Sequence, residues 1–111
     1  MNSAKAITKY VRISPRKARL SIDVIRGMDV PSATTQLAFD NTKAGRLLKK
    51  TLDSAVANAG VEFDARPEDL KVAAAYVDEG PRWKRSKPKN KGGRHRILKR
   101  TSHLSIVVDK E

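Results

Sequence analysis

The chain has 111 residues, of which 24 are Lys or Arg and 12 are Asp or Glu, giving a net charge of +12. This length suits one small domain, and the charge favours a polyanionic partner such as nucleic acid. The chain has no cysteine, which excludes disulfides, and no apolar run approaching the roughly 20 residues of a membrane span. Residues 1–10 contain no apolar segment of the kind found in secretory signals, so we expect an intracellular, reducing environment.

The N-terminal part of the sequence predicts a strand followed by a helix. Residues 4–13 alternate loosely between apolar and polar side chains, as half-buried strands do. Ser14-Pro15 is typical of a helix start, because serine caps the first amides and proline fits the first helical turn. Apolar residues then recur at helical spacing up to Gly27, which is predicted to end the helix in a left-handed turn.

Two further helices are predicted before the chain turns to strands. The first is short and covers 31–39, and the second runs over 42–59 between a capping Asn41 and a terminating Gly60. Small and aliphatic residues repeat along the longer helix at the spacing of one buried stripe. The residues of this predicted stripe are Ala44, Leu47, Leu48, Thr51, Leu52, Ala55, Val56 and Ala59.

Two strand patterns then bracket a long basic segment. They cover 70–79 and 101–109, and the simplest connection between them is an antiparallel hairpin of residues 81–100. At roughly 3.3 Å per residue, each arm of about ten residues could reach about 30 Å beyond the sheet. The residues predicted to share one face of the first strand are Leu70, Val72, Ala74 and Tyr76. The sequence thus predicts an α+β domain with a long basic hairpin.

Positive charge is concentrated in this hairpin. From Arg82 to Arg100 there are ten Lys or Arg and no acidic residue, whereas the other 14 basic residues almost balance the 12 acidic ones. A segment whose charges are all positive needs a counter-charge such as phosphate, and Trp83 within it can stack on a base. The alternative is a disordered loop without a target, although long loops in compact domains are usually functional. The ten residues predicted to bind RNA are Arg82, Lys84, Arg85, Lys87, Lys89, Lys91, Arg94, Arg96, Lys99 and Arg100.

A second basic cluster surrounds the predicted start of the first helix. We call Arg12, Arg16, Lys17 and Arg19 the helix-start cluster. Because helix N-terminal amides already favour phosphate, this cluster is predicted to be a second RNA contact. The alternative is an ordinary solvated helix face. His103 is predicted to pack or hydrogen-bond at the root of the hairpin and is grouped with the RNA-binding residues.

The sequence gives no support for catalysis. His95 and His103 are too few and too isolated for a metal site, which needs three or four ligands. No phosphate-cradling glycine loop and no nucleophile-elbow motif occurs. We therefore expect no enzyme activity, no metal and no cofactor. The alternative function is a free-standing basic regulator that binds nucleic acid, for which a basic recognition helix would be expected.

Five motifs carry a family resemblance. They are Ser14-Pro15-Arg16-Lys17, Ile25-Arg26-Gly27, Ser54-Ala55-Val56-Ala57-Asn58-Ala59, Val77-Asp78-Glu79-Gly80-Pro81 and Ile97-Leu98-Lys99-Arg100-Thr101-Ser102-His103. In this order, over nearly the whole chain, the sequence resembles the bacterial large-subunit ribosomal protein twenty-two family. The resemblance implies a single domain over 1–111: a three-stranded antiparallel sheet with three helices as its body (1–80 and 101–111), and a protruding β-hairpin (81–100).

The resemblance also implies a function and a location. The chain would be a structural constituent of the large ribosomal subunit in the cytoplasm, or in an organelle of bacterial descent, with no membrane contact. It would bind large-subunit rRNA and neighbouring subunit proteins and support assembly. Its hairpin tip would help to line the exit tunnel beside the nascent peptide, although Gly93 and Arg94 depart from the usual family pattern. The hairpin residues placed near the tunnel are Trp83, Lys84, Arg85, Asn90, Gly92, Gly93 and Arg94.

Overall fold

The computed structural model describes residues 3–80, 83–88, 94–99 and 101–110. The strands are β1 (Ser3–Val11), β2 (Leu70–Glu79), β3 (Trp83–Pro88), β4 (Arg94–Lys99) and β5 (Ser102–Lys110). The helices are α1 (Pro15–Ile25), α2 (Val30–Phe39) and α3 (Lys43–Phe63), and a short 3-10 turn (Pro67–Asp69) precedes β2. The predicted α+β fold with three helices and a three-stranded antiparallel sheet is confirmed.

The central strand of the sheet is β5, which pairs antiparallel with β1 on one side and with β2 on the other. Leu104, Ile106 and Val108 of β5 are fully buried against the helices, as the alternation of this strand predicts. Facing them, α3 buries most of its predicted stripe, while its Leu47 and Val56 are only partly buried. The core therefore lies between one face of the sheet and the three helices.

The predicted face of β2 is wrong in its second half. Val72 points into the core, but the pairing register with β5 shifts between Val72 and Ala74. Ala75 and Val77 are consequently buried, and Tyr76 is 54% exposed. A period-two pattern cannot reveal such a bulge, because the extra residue leaves the apolar run unbroken and only reverses which side chains face inward.

Helix α1 has the predicted termini. Ser14 is its N-cap, and the Ser14 hydroxyl accepts a hydrogen bond from the backbone N–H of Lys17 at 3.3 Å. Gly27 follows the last turn with φ of 86°, the left-handed conformation that glycine adopts without steric cost. The α1 residues that pack into the core are Pro15, Ala18, Ile22 and Ile25.

Helix α3 departs from the prediction at both ends. Thr42, not Asn41, is the N-cap. Gly60 lies inside the helix, which continues to Phe63 and ends at Asp64 in a left-handed conformation. A single glycine costs a helix interior about 1 kcal/mol, and packing of Phe63 against the core one turn later offsets that cost.

The hydrogen bonds of Asp40 explain why α3 is capped at Thr42, one residue later than predicted. One oxygen of its carboxylate accepts hydrogen bonds from the backbone N–H of Thr42 at 2.9 Å and from the Thr42 hydroxyl at 2.6 Å. The other oxygen accepts from the Ser21 hydroxyl of α1 at 2.9 Å. These bonds, that of the Thr42 hydroxyl first, hold the pKa of Asp40 below its ordinary value. Gly45 leaves room for the carboxylate, since a Cβ there would lie 2.6 Å from Asp40.

Replacing Asp40 tests this junction. Asp40→Asn should lower the free energy of unfolding by about 1–2 kcal/mol at pH 7, because hydrogen bonds to a charged acceptor are lost. Since folding lowers the pKa of Asp40, its contribution is present above the unfolded-state pKa and is lost as the pH falls through the folded-state pKa. Urea unfolding of both proteins at pH 7 and near pH 3 should show the difference shrinking in acid.

The matched control for this experiment is Asp23→Asn. Asp23 forms an exposed ion pair with Arg26 at 2.8 Å, which should contribute less than about 0.5 kcal/mol. Equal losses in the two variants, or an undiminished Asp40 effect in acid, would contradict the role assigned to the Asp40 hydrogen bonds.

The hairpin strands form a separate two-stranded ribbon. β3 pairs antiparallel with β4, in a register that runs from Trp83 opposite Lys99 to Pro88 opposite Arg94. The ribbon thus has the predicted antiparallel pairing over its described strands. The predictions for positions 81, 82, 89–93 and 100 lie outside the described residues.

Candidate nucleic-acid interface

The hairpin leaves the body at a tightly packed root. The backbone N–H of Gly80 donates to the carbonyl of Thr101 at 2.9 Å, which extends the pairing of β2 with β5 by one residue toward the ribbon. Thr101 is fully buried. A Cβ at Gly80 would lie 2.5 Å from Oγ1 of Thr101 and 3.3 Å from Cε1 of His103. The root therefore needs glycine for the close approach of the two strands.

Two glycine substitutions should have effects of opposite sign. Gly80→Ala should destabilise the protein by about 1–3 kcal/mol, because the new methyl group forces a buried threonine aside. Gly60→Ala should stabilise it by about 0.5–1 kcal/mol, because Gly60 lies inside α3 and the nearest atom to a new Cβ is 3.8 Å away. Urea unfolding measures both; destabilisation by Gly60→Ala or stabilisation by Gly80→Ala would refute this account.

His103 and Tyr10 lie together at the same root. The backbone N–H of Tyr10 donates to Nδ1 of His103 at 3.1 Å. Their rings meet edge to face, with centroids 4.9 Å apart and an interplanar angle of 89°. His103 thus hydrogen-bonds at the root as predicted. Because Nδ1 accepts this bond, a neutral His103 carries its proton on Nε2, which remains a hydrogen-bond donor.

The helix-start cluster lies where β1 leads into α1, and all four of its side chains are exposed. Arg19 also has a structural role, since its Nη2 donates to the carbonyl of Val77 at 3.0 Å on the outer edge of β2. Arg26 does the same for the carbonyl of Ala75 at 2.9 Å. Together they satisfy carbonyls that an edge strand would otherwise leave open to another chain.

Sequence reasoning missed the contribution of Lys43. Its Nζ donates to the carbonyl of Arg12 at 2.9 Å, so the first turn of α3 lies against the helix-start cluster. The Ser102 hydroxyl donates to the carbonyl of Ile13 at 2.7 Å and ties the same loop to the start of β5. The cluster, Lys43 and the hairpin root therefore occupy one end of the body.

Six of the ten predicted hairpin cations lie on described strands. They are Lys84, Arg85 and Lys87 on β3, and Arg94, Arg96 and Lys99 on β4. The register places Lys87 opposite His95 and Ser86 opposite Arg96. No acidic residue belongs to either strand. Phosphate-binding residue types therefore occur along both strands of the ribbon.

Comparison with known proteins identifies the family. The model of the family described as Ribosomal protein L22p/L17e matches residues 6–109. The chain belongs to this ribosomal protein family. It is similar to the large ribosomal subunit protein uL22 of Protochlamydia amoebophila, with 62% identity over 108 residues and 97% of each chain covered. It is also 52% identical over 104 residues to the proteins of that name from Chlamydia felis and Chlamydia pneumoniae, with 94% of each chain covered. The family resemblance of the sequence motifs is thereby confirmed.

This ribosomal protein has neither a metal-binding cluster nor a membrane-spanning helix in the described part of the chain. No group of three or more His, Cys, Asp or Glu side chains there could hold a metal ion. No helix among the described residues is both long and apolar enough to cross a membrane.

Proposed function

We propose that the protein is a structural constituent of the large subunit of a bacterial-type ribosome in the cytoplasm, where it binds rRNA and neighbouring subunit proteins and catalyses no reaction. The observation that carries this proposal is the segregation of charge on the fold. Residues 82–100 contain ten cations and no acidic group, while the rest of the chain is nearly neutral. The proposed division is a body of residues 1–80 and 101–111 with a hairpin of residues 81–100.

The form of the hairpin fits insertion among phosphates. A two-stranded ribbon is narrow, with its strands about 4.8 Å apart, and alone it is marginally stable in water. Phosphates on either side of the ribbon would neutralise its like charges and supply the stabilisation that it lacks. Binding would then be distributed over many contacts, so that no single cation dominates the affinity.

The body would supply a second anchor near the root. The helix-start cluster is exposed, and Lys43 and His103 lie at the same end of the body. Amides in the first turn of α1 add a favourable environment for phosphate. We propose that this end rests on rRNA while the hairpin extends away from it.

The hairpin tip is proposed to reach the nascent-peptide tunnel. Support comes from membership of the family and from the antiparallel register, which carries β3 away from the root and β4 back to it. In this proposal the tunnel-proximal residues set out above contact the tunnel wall and the nascent peptide, and the rest of the hairpin anchors them. The altered pair Gly93 and Arg94 would then lie in the part of the hairpin nearest to the peptide.

Sedimentation tests the proposal against a free-standing regulator. A tagged full-length chain, expressed in a bacterium, should sediment with large subunits on a sucrose gradient and stay there after a wash at about 0.5 M salt, because RNA and protein contacts act together. The alternative function predicts recovery in the slow fractions, free or on DNA. Recovery mainly in those fractions would overturn the proposed function.

A further inference from the structure

We propose that Tyr10 forms a stacking site for an unpaired RNA base at the hairpin root. The stacking site rests on the proposed binding of rRNA and deepens it. It names the ligand as an unpaired base, whereas the cations only neutralise phosphate. Three observations lead to it: the backbone conformation of Tyr10, the ordering of its ring by His103, and the cations beside it.

Tyr10 adopts a conformation that costs free energy. Its φ is 58°, in the left-handed region that residues with a Cβ rarely occupy. It lies where the register of β1 with β5 shifts, between Thr8 opposite Leu104 and Val11 opposite Ser102, so Tyr10 itself has no partner in the ladder. Bulges of this kind re-aim a side chain, and strained residues of this kind cluster at functional sites.

His103 holds the strained residue in place. It accepts the backbone N–H of Tyr10 at 3.1 Å, which satisfies the donor that the ladder leaves unpaired. The edge-to-face contact at 4.9 Å restricts the phenol ring as well. Tyr10 nevertheless remains 57% exposed. An aromatic ring that is both ordered and accessible is suited to stacking, since little entropy remains to be lost when a base binds.

The electrostatic surroundings favour RNA over a protein partner. Lys9 and Arg12 lie within two residues of Tyr10, and both are exposed. The ammonium of Lys43 is bonded to the carbonyl of Arg12, so a third cation lies close by. The acidic group opposite His103 in the register is Asp78, on the far side of β5 from Tyr10. A base on the ring would thus place its phosphates among cations, as single-strand binding sites require.

Three substitutions at position 10 separate stacking from other roles. Binding of the full-length chain to a transcript of bacterial large-subunit rRNA would be measured at several salt concentrations. Tyr10→Leu should weaken binding about tenfold, because an aliphatic side chain of similar bulk has no π face. Tyr10→Phe and Tyr10→Trp should bind within about twofold of the unaltered chain. The slope of log affinity against log salt should stay the same in all three, since no cation is removed.

Phe39→Leu is the matched control, because Phe39 is an aromatic residue at the end of α2 that is 79% exposed. Its replacement should leave the affinity for the transcript unchanged. Unaltered affinity in Tyr10→Leu would overturn the stacking site, and so would equal losses in Tyr10→Leu and Tyr10→Phe, which would assign the effect to the hydroxyl. If Tyr10→Leu proves unfolded, Tyr10→Trp decides: affinity more than twofold below that of the unaltered chain overturns the proposal.

Cross-linking identifies the occupant in the assembled particle. A benzophenone amino acid at position 10, in subunits purified from cells, should cross-link to RNA. Cross-linking to a protein instead would overturn the proposal in favour of a protein contact. Two negative results can be told apart. If the unaltered chain does not bind the transcript, the proposed function is wrong. If it binds normally and substitutions at position 10 leave the affinity unchanged, only the stacking site is wrong.

Discussion

Removal of the ribbon cations should lower the affinity for large-subunit rRNA by about four orders of magnitude at 0.1 M salt. If each of the six described cations meets one phosphate, each contributes roughly 0.7–0.9 to the slope of log affinity against log salt, or about 4–5 in total. The variant replaces all six with glutamine, which keeps polarity and length while removing charge. The residues are Lys84, Arg85, Lys87, Arg94, Arg96 and Lys99. Filter binding between about 0.05 and 0.5 M salt gives both the affinity and the slope.

The control removes the same number of charges from the body. Its six cations belong neither to the ribbon nor to the helix-start cluster and are Lys5, Lys49, Lys50, Arg66, Lys71 and Lys110. Because non-specific attraction depends on total charge, equal losses in the two variants would show that net charge drives binding without any special role for the ribbon. The proposal requires a slope change several times larger for the ribbon than for the body.

Features that depend on neighbouring residues could be predicted from the sequence. The start of α1 follows from Ser14 and Pro15, and its end follows from Gly27, because capping and left-handed turns are decided within a few residues. The alternation of β5 survives because the bulge in its pairing with β2 places the extra residue in β2, so β5 itself continues without interruption from Leu104 to Val108. The basic ribbon, too, is visible as an unbroken run of one charge sign.

Features that depend on distant contacts could not be predicted. Asn41 and Thr42 are both good caps, and the choice between them is made by Asp40, which also binds Ser21 of another helix. Gly60 is a plausible helix end until Phe63 is known to pack. In each case the local signal is real, but a tertiary contact of similar energy decides the outcome.

The candidate interface also combines features that the sequence predicts with features that depend on distant contacts. Tyr10 meets His103 across 93 positions of sequence, and Lys43 meets Arg12 across 31. The positive φ of Tyr10 has no sequence signal, because the residue is not glycine, asparagine or aspartate. The sequence therefore predicts which residues supply charge, whereas only the fold shows that the helix-start cluster, Lys43 and the Tyr10–His103 pair share one end of the body.

Shortening one arm of the hairpin should alter tunnel function without preventing assembly of the large subunit. Deleting residues 83–85 removes half of β3 and the register partners of Ile97, Leu98 and Lys99. The shortened arm spans about 10 Å less. Either the tip is pulled back, or β3 slips against β4 by three residues, which moves every β3 side chain to the opposite face of the ribbon. The remaining cations still bind phosphate, so subunits should form. Macrolide susceptibility or nascent-chain pausing should change on those same ribosomes.

A paired deletion separates the effect of register from that of length. Removing residues 83–85 together with 97–99 takes out three complete cross-strand pairs and leaves Ser86 opposite Arg96, Lys87 opposite His95 and Pro88 opposite Arg94. The tip would then retract by about 10 Å with its pairing intact. If register controls the tunnel, the single deletion should disturb pausing more than the paired one; if reach controls it, the two should be alike. If subunit profiles, drug inhibition and pausing match those of the unaltered chain in both variants, the hairpin is only an rRNA anchor. A tip in contact with the tunnel wall could not retract by about 10 Å without changing its contacts there.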